Sequence, residues 1–362
     1  MLLIGLGTNL KNALGSIAAI YVFISGIVLI KSSAVIMAES LAEGIVLLIR
    51  DTTSGVFAGW IGTALLHSSG AFDSIVVAFT SSGVIPLRLA VATIIGAEIG
   101  TTVTPFLVSV LGHIRKKSRL NASFTVTLTH VLYNLFTLML FYPAELFTGV
   151  FTKIAEQGSS IFVKATWIKA VPDLIDIVTP WIDPFLEFFP AWVGLVVGAA
   201  ALIVALLGLE NYMTAIFSMP MSWNLIRATF TKPLRAFVAG FLFTVLVPST
   251  TVMVSLLVPL AGSGVIRADY FILPYILGAN IGTVFDVMIA ALATGDPISM
   301  GVWLVHLTIN VVGALIFFPL LEPFSRLVRW CADQIAASRR LTLIVAVVFH
   351  AVPILVMLWY II

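Results

Sequence analysis

Two short clusters of hydroxyl side chains interrupt stretches of the chain that are otherwise apolar. The first is HSSG at 67–70, inside a stretch around 54–82, and the second is PSTT at 248–251, inside a stretch around 236–264. Glycines and Pro248 disfavour one continuous helix at these places. Each stretch therefore predicts two short helices joined as a re-entrant hairpin, whose polar tip must be covered by protein or water.

These tips have the chemistry needed to bind an oxyanion. The first turn of a helix presents unpaired N–H groups and a partial positive charge, and hydroxyl groups add further donors. A single Ser or Thr more often bonds to a helical carbonyl, but clusters at two matched positions favour anion binding. The candidate substrate-binding residues are His67, Ser68, Ser69, Ser249, Thr250 and Thr251.

A second pair of motifs suits a hard cation such as Na⁺. The motifs are GAEIGTT at 96–102 and GANIGT at 278–283. Glycines let a helix unwind, and unwound carbonyls with hydroxyl and amide oxygens are ligands that hard cations prefer. Close helix packing through small residues is the alternative interpretation. The candidate ligands in these motifs are Thr101, Thr102, Asn280 and Thr283.

Three acidic residues, Asp73, Glu98 and Asp286, also lie in apolar surroundings. A charge at the membrane centre costs about 2.5–3.5 kcal/mol on insertion scales, so such residues are functional candidates. They could hold Na⁺, carry a coupling proton, or remain neutral and structural. Because they lie close in sequence to the other candidates, we add all three to the predicted cation ligands.

Two polar pairs have the spacing that places both members on one helix face. They are His130 with Asn134, and His306 with Asn310. For these pairs we predict a structural role, in which polar side chains brace neighbouring helices.

The composition requires lipid as the solvent for most of the chain. Of 362 residues, 60% are hydrophobic and 10% are charged, and the mean hydropathy is +1.13. A soluble domain has roughly a quarter charged residues. A spanning helix needs about 20 apolar residues. The qualifying windows are 17–30, 84–111, 124–142, 193–209, 270–293, 302–320 and 343–362. We expect a multi-pass protein of the cell membrane.

The charges predict an orientation. Basic residues cluster at 115–119, 227–235 and 326–340, which is typical of cytoplasmic loops, whereas 141–190 is mainly acidic. The sequence therefore predicts an internal N-terminus and an external C-terminus. The single Cys331 excludes an intramolecular disulfide framework and a cysteine metal cluster.

The two halves of the chain are related by duplication. Ser68 corresponds to Ser249 at an offset of 181 (249 − 68), and the glycine motifs correspond at 182 (278 − 96). The link after the first glycine motif is basic and the link after the second is acidic, so the halves have opposite predicted orientations. Further matched pairs are Gly59 with Gly240, Thr63 with Thr244, Gly83 with Gly264, His130 with His306, and Asn134 with Asn310. Such inverted repeats are a signature of secondary transporters.

The predicted fold class is an all-α polytopic membrane protein with two inverted-topology repeats. Each repeat has a re-entrant helical hairpin and a broken, glycine-interrupted helix. The predicted divisions are transport repeat 1 at 1–145, an external connecting segment at 146–190, transport repeat 2 at 191–325, and a C-terminal membrane helix at 326–362.

The duplicated motifs resemble those of the type II sodium-dependent phosphate cotransporter family, including its bacterial members. That family has QSSS in each repeat, then a GANIGT-like motif, then a helix with H-x-x-x-N and a closing proline. Here 67–70 and 248–251 occupy the QSSS positions, and Pro143 and Pro319 close the two helices. The resemblance implies Na⁺-driven phosphate uptake. It places phosphate on Ser68, Ser69, Ser249, Thr250 and Thr251, and sodium near both sets of motifs.

The chain departs from the family pattern at the predicted site. His67 and Pro248 replace glutamines, Gly70 replaces a serine, Glu98 replaces an asparagine, and Asp73 and Asp286 replace threonines. Added carboxylates repel phosphate unless protons or Na⁺ neutralise them.

These departures keep two other hypotheses open. The first is a proton- or sodium-coupled carrier of a different small anion or polar solute on the same fold. The second, a membrane enzyme or structural subunit, is disfavoured because the chain has neither a G-x-x-x-x-G-K loop nor a zinc motif. We expect no cofactor beyond Na⁺ as coupling ion. The expected partners are phosphate or a similar anion, Na⁺ and the lipid bilayer, without nucleic acid, and the sequence is compatible with a homodimer.

Overall fold

The apolar chain folds into helices throughout its described part. The computed structural model describes residues 2–115, 120–164, 179–217, 228–262, 266 and 270–361, and every regular element there is an α-helix. This confirms the predicted all-α class. The first eight helices are α1 Leu2–Ile36, α2 Ala38–Leu48, α3 Thr52–Leu66, α4 Ser69–Ser81, α5 Leu87–Gly100, α6 Val103–Arg115, α7 Leu120–Thr148 and α8 Val150–Val163. The others are α9 Ile182–Phe188, α10 Ala191–Phe217, α11 Pro233–Leu246, α12 Thr250–Gly262, α13 Ile272–Thr294, α14 Pro297–Phe317, α15 Leu321–Ala337 and α16 Arg339–Ile361.

Seven described stretches are long and apolar enough to cross a membrane. They are Lys11–Ile36, Leu87–Val110, Ala122–Thr148, Ala191–Leu209, Ile272–Thr294, Pro297–Phe317 and Arg339–Tyr360. Each overlaps one of the seven predicted windows, so the chain is a multi-pass membrane protein. The orientation remains a prediction. Some of the residues that predict it lie outside the described part of the chain: Lys116, Lys117, Arg119, Arg227 and the 165–178 part of the connecting segment.

Each interrupted stretch forms two short helices. In the first, α3 ends at Leu66, and the next residue, His67, has a φ of 55°, in the left-handed region that non-glycine residues rarely adopt. In the second, α11 ends at Leu246, and Pro248, two residues later, has no N–H with which to continue the helix. The polar tips predicted at 67–70 and 248–251 therefore lie where the chain passes from one short helix to the next.

A capping box at Asp51 starts the first hairpin. The Asp51 side chain accepts the backbone N–H of Ser54 at 2.8 Å, and the Ser54 hydroxyl accepts the backbone N–H of Asp51 at 2.9 Å. The hydroxyl of Tyr360, at the end of α16, also donates to Asp51 at 3.2 Å. Partial burial raises the pKa of Asp51, but the bonds from Ser54 and Tyr360 outweigh it and lower that pKa. An ionised Asp51 thus links the last helix to α3.

Glycines bring α5 against α3 and α13 against α11 in the same way. A Cβ on Gly96 would overlap the carbonyl of Val56, and a Cβ on Gly278 would overlap the carbonyl of Phe237. Both motif glycines therefore support close backbone packing, which was the alternative interpretation of these motifs.

The predicted helix break is present in the first repeat and wrong for the second. In the first, α5 ends at Gly100 and α6 begins at Val103. Pro105 explains the break, because a proline has no N–H for the carbonyl four residues earlier and its ring crowds that carbonyl, here of Thr101. The position of Pro105 corresponds to Val287 in the second repeat (105 + 182), and α13 runs unbroken from Ile272 to Thr294.

Candidate functional site

Ser68 and Ser249 have the same role at the two hairpin tips. The Ser68 hydroxyl accepts the N–H of Ala71 at 3.2 Å, and the Ser249 hydroxyl accepts the N–H of Val252, also at 3.2 Å. Each serine thereby caps the second helix of its hairpin. Because the oxygen accepts in both cases, each hydroxyl proton is still available to donate to an anion at the helix N-terminus.

The other hydroxyls of the second tip join it to glycine-motif residues. Thr250 is in short contact with the hydroxyl of Thr283 and donates to the Ala279 carbonyl at 3.2 Å. Thr251 donates to the carbonyl of Thr101 at 3.4 Å. That carbonyl is the one Pro105 leaves without its helical donor, so the broken helix of the first repeat receives the tip of the second.

The first tip is arranged differently. Ser69 is the first residue of α4 and is buried. His67 is exposed, and its Nδ1 lies 2.8 Å from the Thr104 hydroxyl oxygen in α6. Thr102, another predicted cation ligand, is fully buried and donates to the Ile99 carbonyl at 2.7 Å. Of the predicted hydroxyl residues, the two capping serines are thus the best placed to meet an anion.

The three predicted acidic residues lie around one histidine. His306 Nε2 lies 2.8 Å from Glu98 Oε1, and His306 Nδ1 lies 3.7 Å from Asp73 Oδ2. Asp286 also interacts electrostatically with His306. Asn310 donates to Glu98 Oε1 at 2.8 Å. Three acidic side chains and one imidazole thus meet in one largely buried region, and each acid that is ionised would attract a cation.

Members of the two polar pairs, for which we predicted only a structural bracing role, contact the predicted functional residue Glu98. His306 and Asn310 belong to α14, whereas Glu98 belongs to α5 in the other half of the chain. In the matching place, Asn280 donates to Asn134 Oδ1 at 3.3 Å, and Asn134 Nδ2 donates to the Glu98 carbonyl at 2.9 Å. The sequence offered one signal for these contacts. Glu98 has no basic residue close to it along the chain, so its partner had to come from elsewhere in the fold.

The candidate cation ligands fall into two neighbouring groups. One group is neutral and contains Thr101, Thr102, Asn280 and Thr283, of which Thr101 and Thr283 contact the second tip. The other group contains Asp73, Glu98 and Asp286. No group of three His, Cys, Asp or Glu residues with the geometry to hold a metal occurs in the described part of the chain. Oxygen donors of these kinds fit Na⁺, which takes hydroxyl, carbonyl and carboxylate oxygens.

Comparison with known proteins decides the family. The chain matches the family described as Na⁺/Pi-cotransporter over residues 22–163 and 201–332. The protein belongs to the Na⁺/Pi-cotransporter family. Each matched segment contains one hairpin, one glycine motif and one H-x-x-x-N helix. This family consists of sodium and phosphate transporters, not enzymes.

The similar curated proteins are longer than this chain. Sodium-dependent phosphate transport protein 2B of Homo sapiens is 25% identical over 372 residues, which cover 75% of this chain and 53% of that protein. Sodium-dependent phosphate transport protein 2A of Rattus norvegicus is 23% identical over 405 residues, covering 89% and 62%. The chain thus spans a little over half the length of these relatives. No solved structure gives a significant match.

Two departures of this Na⁺/Pi-cotransporter family member from the family pattern are coupled in space. Gly70, where the family has a serine, lies directly against the Asp286 carboxylate, and a Cβ on Gly70 would overlap Asp286 Oδ2. The missing side chain at Gly70 therefore makes room for the added carboxylate.

A cavity of about 130 Å³ lies beside Asp286 and Pro248, between α1, α10, α11 and α13.

Proposed function

We propose that this protein is a secondary active transporter that couples inward Na⁺ flow to the uptake of inorganic phosphate by alternating access. The observation that carries the proposal is the matched capping of α4 and α12 by Ser68 and Ser249 at the two hairpin tips. Each cap combines a helix N-terminus with a hydroxyl donor, which together suit a phosphate oxygen. Membership of the Na⁺/Pi-cotransporter family supports the same substrates.

In this proposal the substrate and the coupling ion occupy adjacent groups of residues. Phosphate binds at the tips through His67, Ser68, Ser69, Ser249, Thr250 and Thr251. Sodium binds to the oxygen atoms of Asp73, Glu98, Thr101, Thr102, Asn280, Thr283 and Asp286. Sodium beside the three carboxylates removes the repulsion that they would exert on phosphate, which gives a physical reason for both solutes to move together.

The test is uptake of labelled phosphate into proteoliposomes that hold the purified protein. An inward NaCl gradient is compared with choline chloride, with a pH gradient, and with empty liposomes. We expect accumulation only with sodium, and at least tenfold less in the double variant Ser68→Ala, Ser249→Ala. Thr148→Val, whose hydroxyl bonds only within α7, serves as the matched control and should transport normally.

A second candidate function is a carrier of another small anion or polar solute, coupled to sodium or protons. The observation that favours it is the set of three buried carboxylates beside the first tip, which a doubly charged phosphate would have to approach. A thermal-shift series in detergent with phosphate, sulfate, acetate and neutral polar solutes distinguishes the two. Stabilisation by another solute and none by phosphate would support this second function and contradict the first.

A further inference from the structure

Glu98 is held at both its backbone and its side chain by asparagines. Asn134 of α7 donates to the Glu98 carbonyl at 2.9 Å, and Asn310 of α14 donates to Glu98 Oε1 at 2.8 Å. These asparagines occupy matched positions in the two repeats. Glu98 is 12% exposed, so it is enclosed but still reachable. This arrangement restricts the side chain to few rotamers before any ligand arrives.

The two side-chain contacts to Glu98 from α14 end on the same oxygen. His306 Nε2 and Asn310 Nδ2 each lie 2.8 Å from Oε1. A carboxylate has about four acceptor positions on its two oxygens. Two donors on Oε1 orient the group and leave the lone pairs of Oε2 for a ligand. A ligand that binds to these lone pairs must be a hydrogen-bond donor or a cation.

The surroundings favour a cation over a neutral donor. Asp73 and Asp286 are 1% and 3% exposed, and both interact electrostatically with His306. The groups around His306 are therefore Glu98 from α5, Asp73 from α4, Asp286 from α13 and Asn310 from its own helix. Three acidic side chains converge on one imidazole, and each one that is ionised adds negative charge that a bound cation would balance.

We propose that His306 and Asn310 are positioning residues that orient the Glu98 carboxylate for binding of the coupling cation. The second repeat has Asn280 at the position of Glu98, and there Asn134 of α7 accepts a hydrogen bond from a neutral amide instead. The positioned carboxylate therefore makes one of the two matched places selective for a cation. This inference rests on the proposed function only in taking Na⁺ as that cation.

The experiment measures sodium binding rather than transport. The full chain in detergent is heated in increasing NaCl, with choline chloride keeping the ionic strength constant, and the half-effective Na⁺ concentration is read from the rise in Tm. We expect His306→Leu and Asn310→Leu to raise that concentration at least tenfold. His306→Gln retains a donor of similar reach and should stay within threefold of wild type.

Thr308→Val is the matched control, because Thr308 lies on the same helix and bonds only to the Leu304 carbonyl of α14. The inference is overturned if sodium does not stabilise the wild type more than choline does, or if the leucine variants shift no further than Thr308→Val. If His306→Leu does not fold, Asn310→Leu and His306→Gln decide by the same criteria. A sodium shift without phosphate uptake in proteoliposomes would support this inference and contradict the proposed function.

Discussion

Ser68 illustrates how one side chain can serve both the fold and a ligand. Its oxygen caps α4 by accepting the Ala71 N–H, while its proton stays available at the tip. Ser249 does the same for α12. Under the proposed function, a substitution at these serines would change stability and anion binding together, and the choice of the replacing residue separates the two effects.

Ser68→Asp and Ser68→Ala separate these effects. Alanine removes the cap and should cost about 1 kcal/mol of stability, whereas aspartate retains an acceptor and should cost much less. Aspartate should nevertheless abolish phosphate uptake, because its carboxylate repels the anion. Thermal unfolding in detergent and uptake in proteoliposomes measure the two effects. An aspartate variant that transports phosphate at the wild-type rate would show that this tip does not contact the anion.

The candidate residues themselves could be chosen from the sequence, but their partners could not. The hydroxyl clusters and the three acids stand out because polar side chains are costly in apolar stretches. Gly70 and Asp286 both departed from the family pattern, yet nothing in the sequence pairs them, since they are 216 positions apart (286 − 70). Their contact depends on how α4 packs against α13.

At the scale of the helices, similar motifs gave different structures. Each glycine motif packs closely on the first helix of the hairpin before it, α3 or α11, but only the first motif is followed by a helix break. The difference lies in Pro105, which follows the first glycine motif and leaves the Thr101 carbonyl free to accept a hydrogen bond from the Thr251 hydroxyl. A helix break is therefore better predicted from the residues four positions downstream than from the glycines.

Gly96→Ala tests the close packing of α5 on α3. The new methyl group would overlap the Val56 carbonyl, which cannot move as a side chain could, so we expect a loss of at least 1–3 kcal/mol, the cost typical of overpacking. The control is Gly44→Ala in α2, where a Cβ meets nothing within 4 Å. That change should instead stabilise the protein by about 0.5–1 kcal/mol through helix propensity. Equal Tm shifts in the two variants would contradict this packing.

At the scale of the whole molecule, the two repeats are joined by exchanged polar contacts. Residues of α14 bind Glu98 of the first repeat, Asn134 of α7 binds Asn280 of the second, and the second tip binds Thr101. Helices α1 and α10 also pack closely. A Cβ added to Gly26 would lie 2.9 Å from the Gly198 carbonyl oxygen, and a Cβ added to Gly198 would lie 3.0 Å from the Gly26 carbonyl oxygen. Reciprocal contacts of this kind are expected where two equivalent halves meet.

A double-mutant cycle on Asn134→Ala and Asn280→Ala tests whether these contacts couple the halves. Because the two amides bond directly, we expect an interaction energy of about 0.5–3 kcal/mol in thermal or chemical unfolding. Thr148→Val with Asn280→Ala is the control cycle, since Thr148 lies at the far end of α7 and bonds to Ala144. That cycle should be additive within about 0.5 kcal/mol. Additivity in both cycles would mean that the repeats are energetically independent at this point.

The sequence by itself determined that lipid is the main solvent, that the chain is helical with seven apolar spans, that its halves are duplicated, and which residues are candidates. These depend on composition and on spacing along the chain, which apolar windows and hydroxyl clusters record directly. Only the tertiary structure decided which half supplies each partner, above all that His306 and Asn310 contact Glu98 of the other half. Buried polar groups must find hydrogen-bond partners, and which partners are within reach is set by how the helices pack, not by their order in the chain.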